Sequence, residues 1–304
     1  MSLSPPRWTL DQFTEGAAHG IEVFRFERLN EAREDYTSHF DEARSAIEDL
    51  LELSTDLTAL EQTGRAALAD AGYLEALRYI AAPPVSTDDL ETLSGVAAGD
   101  FAADGQWPVV IATVLALADT RRFPWLVDGR QPAETDRHAA ILSTAAQIAS
   151  RRILTARANE AKAAQEELVR TALIASGFTE VPPRAINTLR TAPDPGQFCG
   201  ESMLGSRKAD IVIGLWDDRV LAVECKVSNS RINSIKRIKN DAAVKARRWI
   251  EEFGELLIVP AAVIAGVYHP PNLVSAQREG LTIWWSHDIA QMISWIDRAR
   301  PGVG

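Results

Sequence analysis

Cysteine is nearly missing from this chain, with Cys199 and Cys225 the two instances in 304 residues. A disulfide framework is therefore not expected, and both thiols read as reduced and buried. The five histidines, His19, His39, His138, His269 and His287, share no metal-ligand spacing with those cysteines, which argues against a zinc site. Long hydrophobic runs are missing as well. No apolar stretch approaches membrane-spanning length, and the opening Met-Ser-Leu-Ser-Pro-Pro-Arg-Trp lacks the apolar centre of a secretion signal. The expectation is a cytoplasmic protein without membrane contact. No P-loop, dinucleotide fingerprint or serine nucleophile elbow is found, and no internal repeat or low-complexity segment. What is there, 46% hydrophobic and 24% charged residues, suits one large globular domain or two.

A net charge of -10 taken alone argues against a polyanionic partner, but the charge is unevenly placed. Residues 1 to 100 hold 7 Lys and Arg against 20 Asp and Glu, whereas Lys226 to Arg248 hold 8 basic residues and one acidic, Asp241. The local field decides what binds, and a phosphate backbone would lie along this strip. Taken alone, the strip also reads as an ordinary solvated helix face.

From Leu10 to about Leu117 apolar residues recur at helical intervals, as in Phe40, Ala43, Ile47 and Leu50, and Ser86-Thr87-Asp88-Asp89 after a proline pair marks a helix start. The loop Arg121-Arg122-Phe123-Pro124-Trp125 reads as a connection whose arginines could meet DNA. Between Ala133 and Ser176 neither glycine nor proline occurs, which predicts one very long helix, or two with a break near Asn159. Beyond Gly177 the texture changes. Strands are expected near 209 to 216, 220 to 227, 257 to 265 and 281 to 286, with helices near 232 to 253, 271 to 279 and 288 to 299, and another short strand between Phe178 and Leu204. The fold class is thus α+β, with an all-α domain over 1–155 for DNA recognition or dimerisation and a mixed sheet flanked by helices over 156–304. Trp284, Trp285 and Trp295 read as core with Ile283, Ile289, Met292 and Ile296, and Asp288 after His287 reads as a helix N-cap.

The chemistry is expected in the hairpin Ala209 to Val227. Asp210 opens one apolar strand and Glu224-Cys225-Lys226 closes the next. Two carboxylates on neighbouring strands can share a divalent cation, and strand alternation sends Glu224 and Lys226 to one side and Cys225 to the other.

Asp210, thirteen residues, then Glu224-Cys225-Lys226 resembles the PD-(D/E)xK nuclease superfamily, with Ala209 where that motif has proline. A wider resemblance rests on Pro-Pro-Arg-Trp near the start, Arg-Arg-Phe-Pro-Trp at 121 to 125, Gly200-Glu201-Ser202, Arg207-Lys208-Ala209-Asp210 and Glu224-Cys225-Lys226-Val227-Ser228-Asn229-Ser230. These are similar to the XamI family of type II restriction endonucleases. The resemblance implies a bacterial Mg2+-dependent homodimer that cuts double-stranded DNA at a short palindrome of the GTCGAC type, alongside a cognate methyltransferase. Asp210 and Glu224 would hold Mg2+ with the Cys225 main-chain carbonyl, and Lys226 would orient or deprotonate the attacking water. A further carboxylate on the preceding helix is expected. Helical phase favours Glu166, which shares a stripe with Val169 and Leu173, over Glu160 and Glu167, with Glu201 a rival. For DNA, Ser228, Asn229, Ser230, Asn233, Lys236 and Arg237 offer phosphate or base contacts, and Arg207 and Lys208 backbone contacts; helix capping explains the Ser/Asn run nearly as well. Two other readings stay open: a repair or junction-resolving nuclease on the same fold, and a non-catalytic DNA-binding protein.

Overall fold

The computed structural model describes residues 3–30 and 33–300, and they form two compact units. One comprises Ala32–Arg157, the other Met1–Glu31 with Ala158–Gly304. This differs from the expected division into 1–155 and 156–304, because helix α1 (Leu10–Asn30) packs with the C-terminal elements: its Phe13 is buried beside Ala262, Ile264 and Ile283.

The helical unit contains α2 (Glu34–Leu53), α3 (Leu60–Ala69), α4 (Ala71–Ile80), α5 (Thr87–Ser94), α6 (Trp107–Ala116), α7 (Trp125–Asp128) and the first part of α8 (Glu134–Ala175). Ala43, Ile47, Leu50 and Leu51 form the inward stripe of α2 at the spacing a helix requires, and meet Leu77, Ile111 and Ile148 in one core. Ser86 and Asp89 form a reciprocal capping box on α5, satisfying two amides that the first turn leaves orphaned. The Arg121 to Trp125 loop is structural rather than a DNA contact at Arg122. That guanidinium donates to the carbonyls of Tyr79 and Ala81 at 2.9 Å, to Thr144 Oγ1 at 3.0 Å and to Asp119 Oδ2 at 2.7 Å, while Phe123 and Trp125 are fully buried.

Helix α8 runs unbroken for 42 residues, so no break occurs at Asn159. After it come β1 (Thr179–Glu180), β2 (Gln197–Cys199), β3 (Ser202–Leu204), β4 (Arg207–Ala209), β5 (Ile211–Gly214) and β6 (Val220–Ser228). Helix α9 (Arg231–Arg237) continues through a π turn, Ile238–Ala242, into α10 (Ala243–Phe253), followed by β7 (Ile258–Gly266), α11 (Pro270–Arg278), β8 (Thr282–Trp285) and α12 (Ile289–Arg298). Six strands form a mixed sheet in the order β1-β2-β5-β6-β7-β8, and β3 with β4 form a separate hairpin. The β5–β6 pair is antiparallel, and β6–β7–β8 are parallel, each pair joined by a helical crossover.

Val169 and Leu173 of α8, with Met292, Trp295 and Ile296 of α12, cover one sheet face through Leu221, Val223 and Cys225. Ala243 and Ala246 of α10 with Leu273 and Ala276 of α11 cover the other through Ala262 and Ile264. Trp284 and Trp295 are core residues as expected, while Trp285 is half-buried and lies against α1 at Gly16, where a side chain would collide with its ring, and at Gly20, where a side chain would meet the Gly266 carbonyl. Asp288 stands at the N-cap of α12 but makes no capping bond; Gln291 Nε2 donates to its carboxylate instead. The Pro-Pro-Arg-Trp segment is tied down at Trp8, whose amide donates to Gln277 Oε1 at 2.8 Å and whose indole donates to the Ile283 carbonyl at 2.6 Å. Both cysteines are free and buried.

Candidate active site

The turn Leu215 to Arg219 closes the hairpin, with Asp218 at φ 66° and Arg219 held by Asp217. It sets the β5–β6 register at Ile211 opposite Val223, which brings Asp210 opposite Glu224 at the end of the ladder. The Asp210 amide donates to the Val223 carbonyl at 3.1 Å, and its Oδ2 accepts from the Cys225 amide at 2.8 Å. Asp210 is thus anchored to the strand that carries the Glu-Cys-Lys triplet. Alternation does the rest: Cys225 points into the α8 and α12 core, and Glu224 and Lys226 point toward α10.

Glu224 is 0% exposed. A buried carboxylate is tolerable only with partners, and it has two lysines. Lys226 Nζ stands 2.6 Å from Oε2, and Lys245 Nζ donates to both oxygens at 2.8 Å. Asp241 completes the cluster, 2.8 Å from Lys226 Nζ and 3.9 Å from Lys245 Nζ. Burial pushes the Glu224 carboxyl up; Lys226 and Lys245 oppose that shift and Asp210 adds to it. For Lys226 burial works against the charge, but Glu224 and Asp241 outweigh it and raise its pKa. The Tyr268 hydroxyl donates to the Lys226 carbonyl at 2.8 Å and fixes the strand end.

A second cluster lies on the α8 side. Lys162 Nζ is 3.3 Å from Asp210 Oδ1, 3.3 Å from Glu166 Oε1 and 3.7 Å from Glu201 Oε2, and Glu201 also receives Lys208 at 2.7 Å. Burial disfavours the Lys162 charge, but Asp210 and Glu166 prevail and its pKa is raised. Gln165 Nε2 donates to the Val263 carbonyl at 2.9 Å and pins this stretch of α8 against β7.

Of the expected residues, Glu224 and Lys226 are paired, Asp210 is bonded to the amide of Cys225 between them, and Glu166 is linked to Asp210 through Lys162. Glu167 is exposed and pairs with Arg170, and Glu160 is exposed on the same helix. Ser228 is fully buried with its hydroxyl donating to the Ser230 carbonyl, so it offers nothing to a phosphate; this corrects its place among the DNA contacts. Ser230 caps α9 by accepting from the Asn233 amide at 3.2 Å. Asn229, Asn233, Lys236, Arg237 and Arg207 are exposed. Lys162, Asp241 and Lys245 were missed: the lysines lay among many on helices, and Asp241, the sole acid in the basic strip, was the one visible signal.

Among the described residues no three His, Cys, Asp or Glu side chains already converge on one metal-sized position; ammonium groups lie against the carboxylates instead. The donors nonetheless fit a hard divalent cation. They are carboxylate oxygens, and the Lys162 ammonium already rests between two of them, 3.3 Å from Asp210 Oδ1 and 3.3 Å from the buried Glu166 Oε1. Asp210, Glu166 and Glu224 all act on the Cys225 thiol, whose pKa burial and then these three charges raise.

The model of the XamI restriction endonuclease family matches residues 58–285. The type II restriction enzyme XamI of Xanthomonas campestris pv. amaranthicola is 42% identical over 267 residues, covering 86% of this chain and 97% of that enzyme. Among solved structures, protein VC1899 from Vibrio cholerae aligns with 88% of this chain and 58% of its own length, at 12% identity and a TM-score of 0.28, too slight a likeness to bear on the fold. With the match to the family covering most of the sequence, the chain belongs to the XamI restriction endonucleases.

Proposed function

We propose that the protein hydrolyses phosphodiester bonds of double-stranded DNA at a short palindromic site with Mg2+, in a nuclease centre of PD-(D/E)xK type built on Asp210, Glu224 and Lys226. The observation that carries this reading is Asp210 held by the Cys225 amide directly opposite a fully buried Glu224 with Lys226 at 2.6 Å. Asp210 and Glu224 would hold the cation with the main-chain carbonyl of Cys225, and Glu166 would join them through Oε1, where the cation would take the place of the Lys162 ammonium. When bound, the cation supplies Lewis acidity at the scissile phosphate.

The rest falls to the chain. Lys226, drawn between Glu224 and Asp241, orients the attacking water and sets a point charge beside the phosphoryl oxygens as negative charge builds on them. Asp210, rigidly bonded to the β6 backbone, fixes where that phosphate sits relative to Lys226. Arg207, Lys236 and Arg237 contact the DNA backbone, with Asn229 and Asn233 at hand for phosphate or base edges; Lys208, paired with Glu201, joins them only after that pair opens. A palindrome mirrors two-fold symmetry, so the working form is a homodimer with one centre per strand, in a system with a cognate methyltransferase.

Digestion of a sequenced plasmid with Mg2+ and end mapping tests the reading. Discrete fragments ending at one repeated palindrome are expected. Cleavage only at branched or damaged DNA would favour a junction or repair nuclease, and an untouched plasmid would leave only a DNA-binding role.

A further inference from the structure

Helix α9 exposes two large apolar side chains that phosphodiester cleavage does not require. Ile232 is 73% and Ile235 41% exposed, and they stand one turn apart on the same helix. Single exposed isoleucines are common; the setting of these two is not. Arg231, Lys236 and Arg237 are exposed around them and Lys239 is half-buried in the next turn. None of these four cations takes part in an ion pair among the described residues. The two arginines that follow on α10 do pair, Arg247 with Glu279 and Arg248 with Glu251 and Glu252. In a chain with 42 acidic and 32 basic residues, a turn of unpaired cations enclosing two bare isoleucines is complementary to one kind of surface, anionic at its edges and apolar at its floor. A DNA groove has that character, with phosphates along the rims and thymine methyl groups among the base edges.

Resting on the nuclease reading above, we propose that α9 enters a groove of the duplex, where Ile232 and Ile235 read base edges by apolar contact while Arg231, Lys236, Arg237 and Lys239 hold the flanking phosphates. Phosphate contacts place a protein on DNA, and contacts with base edges give it sequence preference. The distance along the chain supports this division. Ile232 lies six positions after Lys226, a reach of at most about 20 Å, which is about six steps along a DNA strand. The bases read from Ile232 therefore lie within about six steps of the scissile bond, as an enzyme cutting inside or beside its own site requires.

The test is fluorescence anisotropy without divalent cation, on a duplex containing the mapped site and on a scrambled duplex. Ile232→Ala and Ile235→Ala should each lower the ratio of specific to scrambled affinity by about tenfold, leaving scrambled-DNA affinity and its salt dependence unchanged. Lys236→Ala should weaken both duplexes equally and reduce the salt slope by about one. Isoleucine variants with an unchanged ratio overturn the proposal. So does an altered sedimentation coefficient with an unchanged ratio, which assigns the face to contact between copies of this chain. Wild-type protein that cuts no DNA and prefers no duplex defeats the nuclease reading itself, whereas a cutting enzyme whose isoleucine variants discriminate normally defeats only this inference.

Discussion

At the scale of single residues, buried charge sets the terms. Glu224 has no contact with solvent, and three ammonium–carboxylate contacts of 2.6 to 2.8 Å replace its hydration. Removing one member of such a set leaves the others uncompensated, which is why these residues act as a unit. A comparable arrangement in the helical unit has no catalytic part. The Arg122 guanidinium closes two backbone carbonyls, Thr144 and Asp119, and its hydrogen bond to Asp119 holds that carboxyl below its ordinary range. A carboxylate with a folded pKa below its unfolded one contributes stability above the unfolded value of about 3.9 and loses it as pH falls through the folded value. Arg122→Ala should therefore destabilise the protein by about 2–3 kcal/mol near neutral pH. In denaturant titrations the gap to wild type should narrow below about pH 4, without closing, since the carbonyl contacts do not titrate. A gap that widens in acid would contradict this assignment.

At the scale of elements, the site is assembled where β5, β6, α8 and the α9–α10 helix meet. The strands were legible in the sequence: Ile211–Gly214, Val220–Ser228, Ile258–Gly266 and Thr282–Trp285 lie within a residue or two of the expected runs, because apolar stretches bounded by turn residues define strands almost alone. The pairing of Glu224 with Lys226 on one side and Cys225 on the other followed from alternation. Asp241 and Lys245 did not. They lie in and after the π turn Ile238–Ala242, whose extra residue shifts the helical phase, so a 3.6-residue period carried from Arg231 onward does not show which side chains face the sheet. Helical phase through Val169 and Leu173 pointed to Glu166, yet gave no sign that Lys162, one turn earlier, would reach across to Asp210. Lys245→Met and Asp241→Asn should each lower the cleavage rate by about 10–100-fold, with Lys245→Arg recovering most of it. Wild-type rates in both variants would remove these residues from the account.

At the scale of the whole molecule, the acidity is concentrated in one unit. Residues 32–157 carry 11 basic and 20 acidic side chains, whereas the remainder carries 21 and 22. The net charge of -10 therefore belongs mostly to the helical unit, and the unit bearing Asp210 and Glu224 is close to neutral, with three exposed cations, Arg231, Lys236 and Arg237, in the seven residues of α9. An overall negative charge is thus compatible with DNA as substrate. A homodimer with one centre per strand, as proposed above, predicts two chains per duplex when the full chain is sedimented with a duplex carrying the mapped site; one chain per duplex at saturation would refute it.

The measurement that bears most directly on the central claim is single-turnover cleavage of supercoiled plasmid as Mg2+ is raised, for wild type and Lys226→Ala side by side. Wild-type cleavage should saturate with Mg2+ and disappear on chelation, and the Lys226→Ala protein should bind the same DNA but cut it at least about 1,000-fold more slowly. Equal rates for the two proteins, or wild-type cleavage indifferent to chelation, would contradict that claim.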